Sequence, residues 1–399
     1  MHDFPLMPQE TLLFTSESVG PGHPDKLCDQ VSDAVLDACL AIDPDSRVAV
    51  ECFATTNLFI VGGEVSTKAK LDYEAIVRRT LREIGYTNPA YGIDADHCHV
   101  MNVIKQQSPD IAQGVDHSSD LGELGAGDQG IMFGYACDET ETLMPLAIFL
   151  AHRLLERADN LRKSGVFRWA RPDMKSQVTI DYSNPKHPRV HTVLLSVQHD
   201  EDAIDEEFRS YIQTEIIAKV MQQYGFNLDY RVFINPTGRF VIGGPEGDTG
   251  LTGRKIIVDT YGGAACHGGG AFSGKDPTKV DRSAAYAARY IAKNIVAAGL
   301  AHKVQIQLSY AIGRSEPISI AIDTYGTSHV DETLLLQAIR FLFPLTPKSI
   351  IEMLHLRQPI YQSTAVFGHF GREELNLPWE KLDQVERLQA FFSRLKKSV

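Results

Sequence analysis

The sequence is poor in cysteine, and its cysteines are widely spaced. It has 399 residues and six cysteines. No CxxC pair occurs among them, so neither a disulfide framework nor a cysteine-rich zinc site is predicted. The triplet His97-Cys98-His99 has a metal-binding composition, but no partner cluster accompanies it. We therefore expect reduced thiols in a reducing compartment.

Long apolar runs, an N-terminal secretory pattern and an excess of basic residues are also missing. No apolar run approaches the roughly 20 residues that span a bilayer. The first ten residues lack the basic and apolar regions of a secretory signal. The net charge of −12 argues against a general nucleic-acid binder. These features predict a cytoplasmic protein with neither a membrane partner nor a nucleic-acid partner.

Three segments repeat the order helix, strand pair, helix. The predicted helices are 25–42, 73–84, 143–162, 203–224, 283–298 and 331–343. The predicted strand pairs are 47–54 with 57–65, 175–182 with 190–197, and 303–312 with 318–325. This order predicts an α+β protein of three structurally related domains in a pseudo-three-fold arrangement, each a mainly antiparallel sheet with helices on one face. The predicted domains are 12–110, 124–242 and 243–385.

The predicted strands are apolar on both faces, so each sheet needs a cover on its second face. The cover could be a second copy of the chain, or the three domains could cover one another, and the sequence favours neither.

No G-x-S-x-G nucleophile motif is present.

A glycine-rich stretch nearly fits the phosphate loop G-x-x-x-x-G-K-[ST]. It runs from Gly269 to Lys275, and Asp276 stands where the hydroxyl residue is expected. Pro277 follows instead of a clean helix start. An anion-binding loop is therefore favoured over a true P-loop, and a plain surface loop is the simpler alternative. Further charges that suit a triphosphate, or else form a solvated basic face, are Arg254, Lys255, Lys279, Asp281 and Arg282.

The motif GHPDK places His23 and Asp25 at the start of a predicted helix. Favourable helix-end chemistry is one explanation. The functional interpretation is that His23 faces charge developing on a departing phosphate oxygen, while Asp25 and Asp281 bind Mg²⁺. Asp128 and Asp248 lie on glycine-flanked turns and could reach a ribose hydroxyl or an ammonium group, although turn chemistry also explains them. Residues 107–116 are either a closing lid or an ordinary loop.

Taken together, these motifs resemble those of the methionine adenosyltransferases. The resemblance runs from about Phe14 to Trp379 and rests on GHPDK, KQQSPDI, GAGDQG, RPDMKSQVT, FINPTGRFVIGGP and HGGGAFSGKDP. It implies three α+β domains in a homodimer or a dimer of dimers with interface active sites. It also implies Mg²⁺, with two ions per site, and K⁺. In the family reaction, the sulfur of L-methionine attacks C5′ of ATP and expels tripolyphosphate, which is then hydrolysed to phosphate and pyrophosphate.

The resemblance also implies residue roles. The implied catalytic residues are His23, Lys175, Arg254 and Lys275. The implied ATP contacts are these four together with Asp173, Arg239, Phe240, Asp248, Lys255 and Ala271. The implied methionine contacts are Glu64, Gln107, Asp128, Asp248 and Lys279. The implied metal ligands are Asp25 and Asp281 for Mg²⁺ and Glu51 for K⁺, and residues 107–117 are the implied gating loop.

The sequence departs from the family pattern in two places. Gly20 and Pro21 replace a small polar residue and Glu before GHPDK, and Cys266 replaces an arginine before HGGG. A phosphoryl-transferring NTPase or kinase, and a non-catalytic nucleotide-binding protein, are the alternative functions.

Overall fold

The computed structural model describes residues 11–105 and 125–396, and within them the strands form three open sheets. The strands are β1 Leu13–Val19, β2 Arg47–Thr55, β3 Leu58–Ser66, β4 His99–Lys105, β5 Gly130–Cys137, β6 Ala170–Asp181, β7 Arg189–His199, β8 Arg231–Ile234, β9 Gly250–Leu251, β10 Lys303–Tyr310 and β11 Ser319–Asp323. The first sheet has the order β4-β3-β2-β9, the second β1-β6-β7-β8 and the third β11-β10-β5.

Helices pack against these sheets and against one another. They are α1 Pro24–Leu40, α2 Tyr73–Ile84, α3 Leu146–Lys163, α4 Asp205–Tyr211, α5 Lys219–Gln223, α6 Gly244–Gly247, α7 Ile256–Asp259, α8 Val280–Ala297, α9 Glu332–Leu342, α10 Pro347–Met353 and α11 Val385–Lys396. The predicted α+β class with three sheet-and-helix units is confirmed. The three predicted hairpins are antiparallel, whereas β3 with β4 and β7 with β8 are parallel pairs.

The sheets exchange strands along the chain. Strand β1 pairs with β6 in the second sheet, β5 pairs with β10 in the third, and β9 pairs with β2 in the first. Each sheet therefore contains a strand from a different predicted segment. The boundaries 12–110, 124–242 and 243–385 stay a prediction, and the three sheets are tied together by these pairings.

Most helix predictions are accurate to within a few residues. The helix predicted at 203–224 is one stretch in which a π-helical turn, Ile212–Ala218, separates α4 from α5. The carbonyl oxygen of Glu215 in this turn accepts a hydrogen bond from Arg157 Nε at 2.5 Å. Local periodicity could not reveal this turn, because Arg157 lies on helix α3, which is remote in the sequence although it contacts the turn.

Helices α1 and α8 form the centre of the molecule. In α1 every residue except Asp37 and Ala38 is buried. Helix α8 packs on strands β5 and β10. The two helices are joined by a fully buried ion pair, in which Arg282 donates to both carboxylate oxygens of Asp33 at 2.7 and 2.9 Å. Predicted site residues lie at the start of both helices. This ion pair therefore fixes the positions of those residues relative to each other.

The six cysteines all lie within the described residues and are free thiols, five buried and Cys266 exposed. Among the described helices, no single one is long and apolar enough to cross a membrane. The pair α9 and α10 passes that test only when joined across a 79° bend.

Candidate active site

His23 caps the first turn of α1. Its Nδ1 accepts a hydrogen bond from the Asp25 amide at 3.2 Å. Burial and the nearby Lys255 ammonium lower the pKa of His23 to about 3. The ring is therefore neutral at neutral pH. Since Nδ1 accepts the amide proton, the ring proton stands on Nε2, which can donate to an anion.

Asp25 is held by β9 and by the loop that follows it. Its carboxylate accepts hydrogen bonds from Lys255 Nζ at 2.5 Å and from the Leu251 amide at 3.0 Å, and Arg254 Nε lies 3.8 Å away. Burial alone would raise the pKa of Asp25, but the Lys255 and Leu251 hydrogen bonds outweigh it, and the pKa is lowered. The structure thus brings together His23, Asp25, Arg254 and Lys255.

The glycine-rich stretch runs along strand β2 and is anchored by Asp276. The Val50 amide donates to the Gly274 carbonyl at 2.9 Å. The fully buried Asp276 accepts from the Val48 amide at 2.7 Å and from the ammonium of Lys279. The residue that occupies the hydroxyl position of a P-loop is therefore a structural anchor, which argues against the NTPase alternative.

Lys275 and Asp281 form the second charged part of the site. Lys275 Nζ donates to Asp281 Oδ2 at 2.6 Å, and both side chains are partly exposed. Gly270 is packed so closely that a Cβ there would lie 2.3 Å from Asp281 Cγ. Only glycine lets the backbone approach that carboxylate so closely. Lys279 is bound to Asp276 instead, so its ammonium is already engaged.

Strand β6 contributes Asp173 and Lys175, on either side of the point where its register with β7 resumes at Met174. Asp173 Oδ2 accepts from the Gly244 amide at 2.8 Å, whereas the buried Oδ1 has no hydrogen-bond partner among the described residues. Burial raises the pKa of Asp173 to about 6. Lys175 is exposed. An unpaired buried carboxylate oxygen next to an exposed cation can accept a ligand hydroxyl.

Three of the remaining predicted residues, Arg239, Asp128 and Asp248, are exposed, and Phe240 is partly buried. Phe240 exchanges hydrogen bonds with His199, while Arg239 contacts Glu201 at 3.3 Å. Asp128 and Asp248 are exposed, and each accepts a hydrogen bond from the next residue's amide, as turn chemistry predicts. Ala271 is partly buried.

Glu51 and Glu64 are exposed on the outer face of the first sheet. No described contact links them to His23 or Lys275. Gln107 and the predicted gating loop lie outside the described residues.

The sequence analysis did not predict several residues whose side chains hold the site in place. The hydroxyl of Tyr86 donates to the Gly22 carbonyl at 2.5 Å, and Gly244 packs against the same hydroxyl. Lys26 is fully buried between Asp29 and Asp259. The spacing of aspartates in α1 was an available signal for these buried carboxylates, whereas nothing in the sequence pointed to Tyr86.

The structure shows the contacts of the residues that depart from the family pattern. Gly20 packs on Met174, and the Pro21 carbonyl accepts from Gln30 Nε2 at 2.7 Å. Cys266 is exposed, and its amide donates to Gln305.

Three family models match successive parts of the chain. The S-adenosylmethionine synthetase N-terminal domain matches residues 11–109, the central domain residues 123–240, and the C-terminal domain residues 242–381. The chain belongs to the S-adenosylmethionine synthetase family.

Curated relatives agree with this family assignment. An S-adenosylmethionine synthase of Mesoplasma florum is 57% identical over 377 residues, which cover 94% of this chain and 99% of the relative. The S-adenosylmethionine synthases of Mycoplasma capricolum subsp. capricolum and Mycoplasma mycoides subsp. mycoides SC are each 56% identical over 382 residues, or 96% of this chain and 98% of each relative. The synthetase family thus accounts for nearly the whole chain.

Enzymes of the synthetase family are generally metal-dependent, and the donor atoms here are consistent with that property. Within residues 11–105 and 125–396, no three His, Cys, Asp or Glu residues group as a metal site. Mg²⁺ usually takes only one or two carboxylates together with substrate phosphates. Asp25 has a lowered pKa, and Asp281 uses only one oxygen for Lys275. These single carboxylates fit an ion that also contacts the polyphosphate.

Proposed function

We propose that His23, Asp25, Arg254, Lys255, Lys275 and Asp281 form the centre at which this chain handles ATP. The chain is a methionine adenosyltransferase: it forms S-adenosylmethionine from ATP and L-methionine. A lone pair of the methionine sulfur forms the bond to C5′, and the C5′–O bond pair leaves with tripolyphosphate. Tripolyphosphate is then hydrolysed to phosphate and pyrophosphate.

Transition-state stabilisation is the main task of the charged residues, because no protein nucleophile is needed. Negative charge grows on the departing oxygen as the C5′–O bond breaks, and preorganised donors at that oxygen lower the barrier. His23 supplies its Nε2–H, while Lys175, Arg254, Lys255 and Lys275 supply positive charge.

Three carboxylates of the proposed site would hold metal ions. Asp25 and Asp281 would hold Mg²⁺, with two ions per site, and Glu51 would belong to a K⁺ site. When bound, Mg²⁺ would neutralise charge on the polyphosphate oxygens. Asp25 and Asp281 contact Lys255 and Lys275 in the structure, so these lysines keep the two carboxylates in place until an ion binds.

The nucleoside part of ATP and L-methionine would contact the residues that surround this centre. For ATP these are Asp173, Lys175, Arg239, Phe240, Asp248 and Ala271. For L-methionine they are Glu64, Gln107, Asp128, Asp248 and Lys279, with residues 107–117 as the gating loop. The unpaired Oδ1 of Asp173 suits a ribose hydroxyl, and the exposed Glu64 and Asp128 suit the methionine ammonium group.

An apolar row on the first sheet supports a homodimer or a dimer of dimers. Leu251, Phe53, Ile60 and Met101 are register neighbours across its four strands, and Met101 is 50% exposed. Glu51 shares this outer face, as does Glu64. A second copy packed on this face would place both glutamates near the other copy's charged residues and form the site at the interface.

The contact of Lys255 with Asp25 beside a neutral His23 is the observation that carries this proposal. The test is product analysis of the purified protein with ATP, L-methionine, Mg²⁺ and K⁺. We expect S-adenosylmethionine with equal amounts of phosphate and pyrophosphate. ADP without an adenosylated product would indicate a kinase, and well-folded protein without turnover would indicate a binding role.

We also expect the protein in the cytoplasm.

A further inference from the structure

Four aspartates lie on one face of helix α1 at a spacing of four residues: Asp25, Asp29, Asp33 and Asp37. Residues four apart on a helix are neighbours, and like charges at this spacing repel each other. Asp29 and Asp33 are also fully buried. A buried carboxylate is costly unless it is hydrogen-bonded, so the partners of these two side chains explain why the row is tolerated.

Asp29 holds the loop that carries Arg254 and Lys255. Its Oδ1 accepts a hydrogen bond from the Gly253 amide at 2.8 Å, and its Oδ2 accepts from the buried Lys26 at 2.8 Å. Gly253 has a φ of +80°, a left-handed conformation that glycine adopts without strain. The residue fixed by Asp29 therefore directly precedes the two cations.

Asp33 holds the glycine-rich loop in the same way. Its Oδ1 accepts from the Gly274 amide at 2.9 Å, while Arg282 binds both carboxylate oxygens. Gly274 has a φ of +78°, and a Cβ there would lie 1.9 Å from the Val50 carbonyl oxygen. The residue fixed by Asp33 directly precedes Lys275.

The two loops also meet each other. A Cβ on Gly253 would lie 2.6 Å from the Cβ of Ala271, which belongs to the glycine-rich stretch. Helix α1 thus carries Asp25 in its first turn and, one and two turns later, the hydrogen bonds that set both cationic loops. A displacement of about 1 Å in such groups can reduce a rate roughly 100-fold.

We propose that Asp29 and Asp33 are positioning residues, which hold Gly253 and Gly274 so that Arg254, Lys255 and Lys275 are placed for the triphosphate before it binds. This inference rests on the proposed role of those three cations. Asp29 and Asp33 do not touch substrate in this assignment. They act through the glycine amides, since each carboxylate accepts a hydrogen bond from one of them.

The test compares Asp29→Asn and Asp33→Asn with Asp37→Asn. Asp37 lies on the same helix face and accepts from the amides of Tyr361 and Gln362, which precede no cation of the site. We expect the first two variants to lower kcat and to weaken tripolyphosphate binding by roughly ten-fold or more. The KM for methionine should change much less. Asp37→Asn should leave kcat and tripolyphosphate affinity within about two-fold of the wild type, whatever its effect on thermal stability.

Equal losses of activity in all three variants at matched stability would overturn the positioning role. So would full activity in folded Asp29→Asn and Asp33→Asn. Wild-type protein that fails to bind tripolyphosphate would instead refute the proposed function itself.

Hydrogen exchange on the wild type gives a test that does not depend on variant folding. In the ligand-free protein the Gly253 and Gly274 amides should exchange as slowly as amides within α1. Exchange at the rate of an exposed loop would overturn the proposal.

Discussion

At the scale of single residues, burial shifts the pKa of an ionisable group in a direction that depends on whether its charged form is a cation or an anion. His23 and Asp173 both lie in buried positions, but burial lowers the pKa of the imidazole and raises that of the carboxyl. Lys275 is different, because it is partly exposed and ion-paired. These differences separate residues whose replacement changes stability from residues whose replacement changes catalysis.

Lys275→Ala should reduce turnover far more than it reduces stability. Its ion pair with Asp281 is partly exposed, and such pairs contribute about 0–1 kcal/mol. We expect kcat/KM for ATP to fall roughly 100-fold while the denaturant midpoint changes little. The control is Lys303→Ala, which removes a similarly paired lysine, 3.1 Å from Glu139 and outside the site. An unfolded Lys275→Ala variant, or a fully active one, would contradict the assignment.

Asp173→Asn should stabilise the protein at neutral pH. The raised pKa means that folded protein binds more protons than unfolded protein between about pH 4 and pH 6, so this group's contribution to stability falls as pH rises through that window. The amide should therefore raise the free energy of unfolding at pH 7 by on the order of 1–2 kcal/mol, and the gain should shrink at pH 4. Thermal unfolding at both pH values measures this difference.

The Asp173→Ala variant is the comparison, because it also removes the acceptor of the Gly244 amide. It should lose stability, and a pH-independent gain in Asp173→Asn would show that the raised pKa is not the cause.

At the scale of elements, the glycine-rich stretch shows how a motif can resemble one structure and form another. Its sequence is one residue from a P-loop, but the backbone follows strand β2 through hydrogen bonds to Val48 and Val50. The residue that breaks the motif, Asp276, is the one that fixes the loop. Sequence similarity to a P-loop therefore indicated anion binding without indicating the loop's geometry.

Asp276→Ser, which completes the P-loop pattern, should destabilise the chain without creating kinase activity. The change removes a buried acceptor used by Val48, Thr278 and Lys279. Hydrogen bonds to charged groups contribute about 1.5–3 kcal/mol, so we expect a loss of about 2 kcal/mol in the free energy of unfolding. Urea unfolding measures it, with the exposed Cys266→Ser as a neutral control. Unchanged stability together with ADP formation would contradict this interpretation.

At the scale of the whole molecule, the exchange of strands joins the three sheets, and the apolar outer face of the first sheet offers a surface for interaction. Pairings between β1 and β6, β5 and β10, and β9 and β2 join the three sheets, so none of them contains strands of one predicted segment alone. The outer face of the first sheet also keeps Met101 and Val103 about half exposed. Such a face is typical of an interaction surface.

Met101→Glu should prevent self-association and abolish most activity, because a charge in the centre of an apolar interface is costly to bury. Light scattering measures the mass of the particle, and product formation measures the activity. The control is Phe341→Glu, since Phe341 is 76% exposed and lies on helix α9, away from this face. A fully active Met101→Glu monomer would refute the interface site.

The sequence by itself determined the family and the position of amphipathic helices such as 73–84, and it predicted the loops that we propose for the chemistry. Each of these depends on residues close together in the chain, where periodicity and motif spacing are informative. Only the tertiary structure decided the neutral state of His23, the anchoring role of Asp276, the exchange of strands and the partners of Asp29 and Asp33. Those properties depend on burial and on contacts between residues up to 249 positions apart, as between Asp33 and Arg282, which local patterns do not encode.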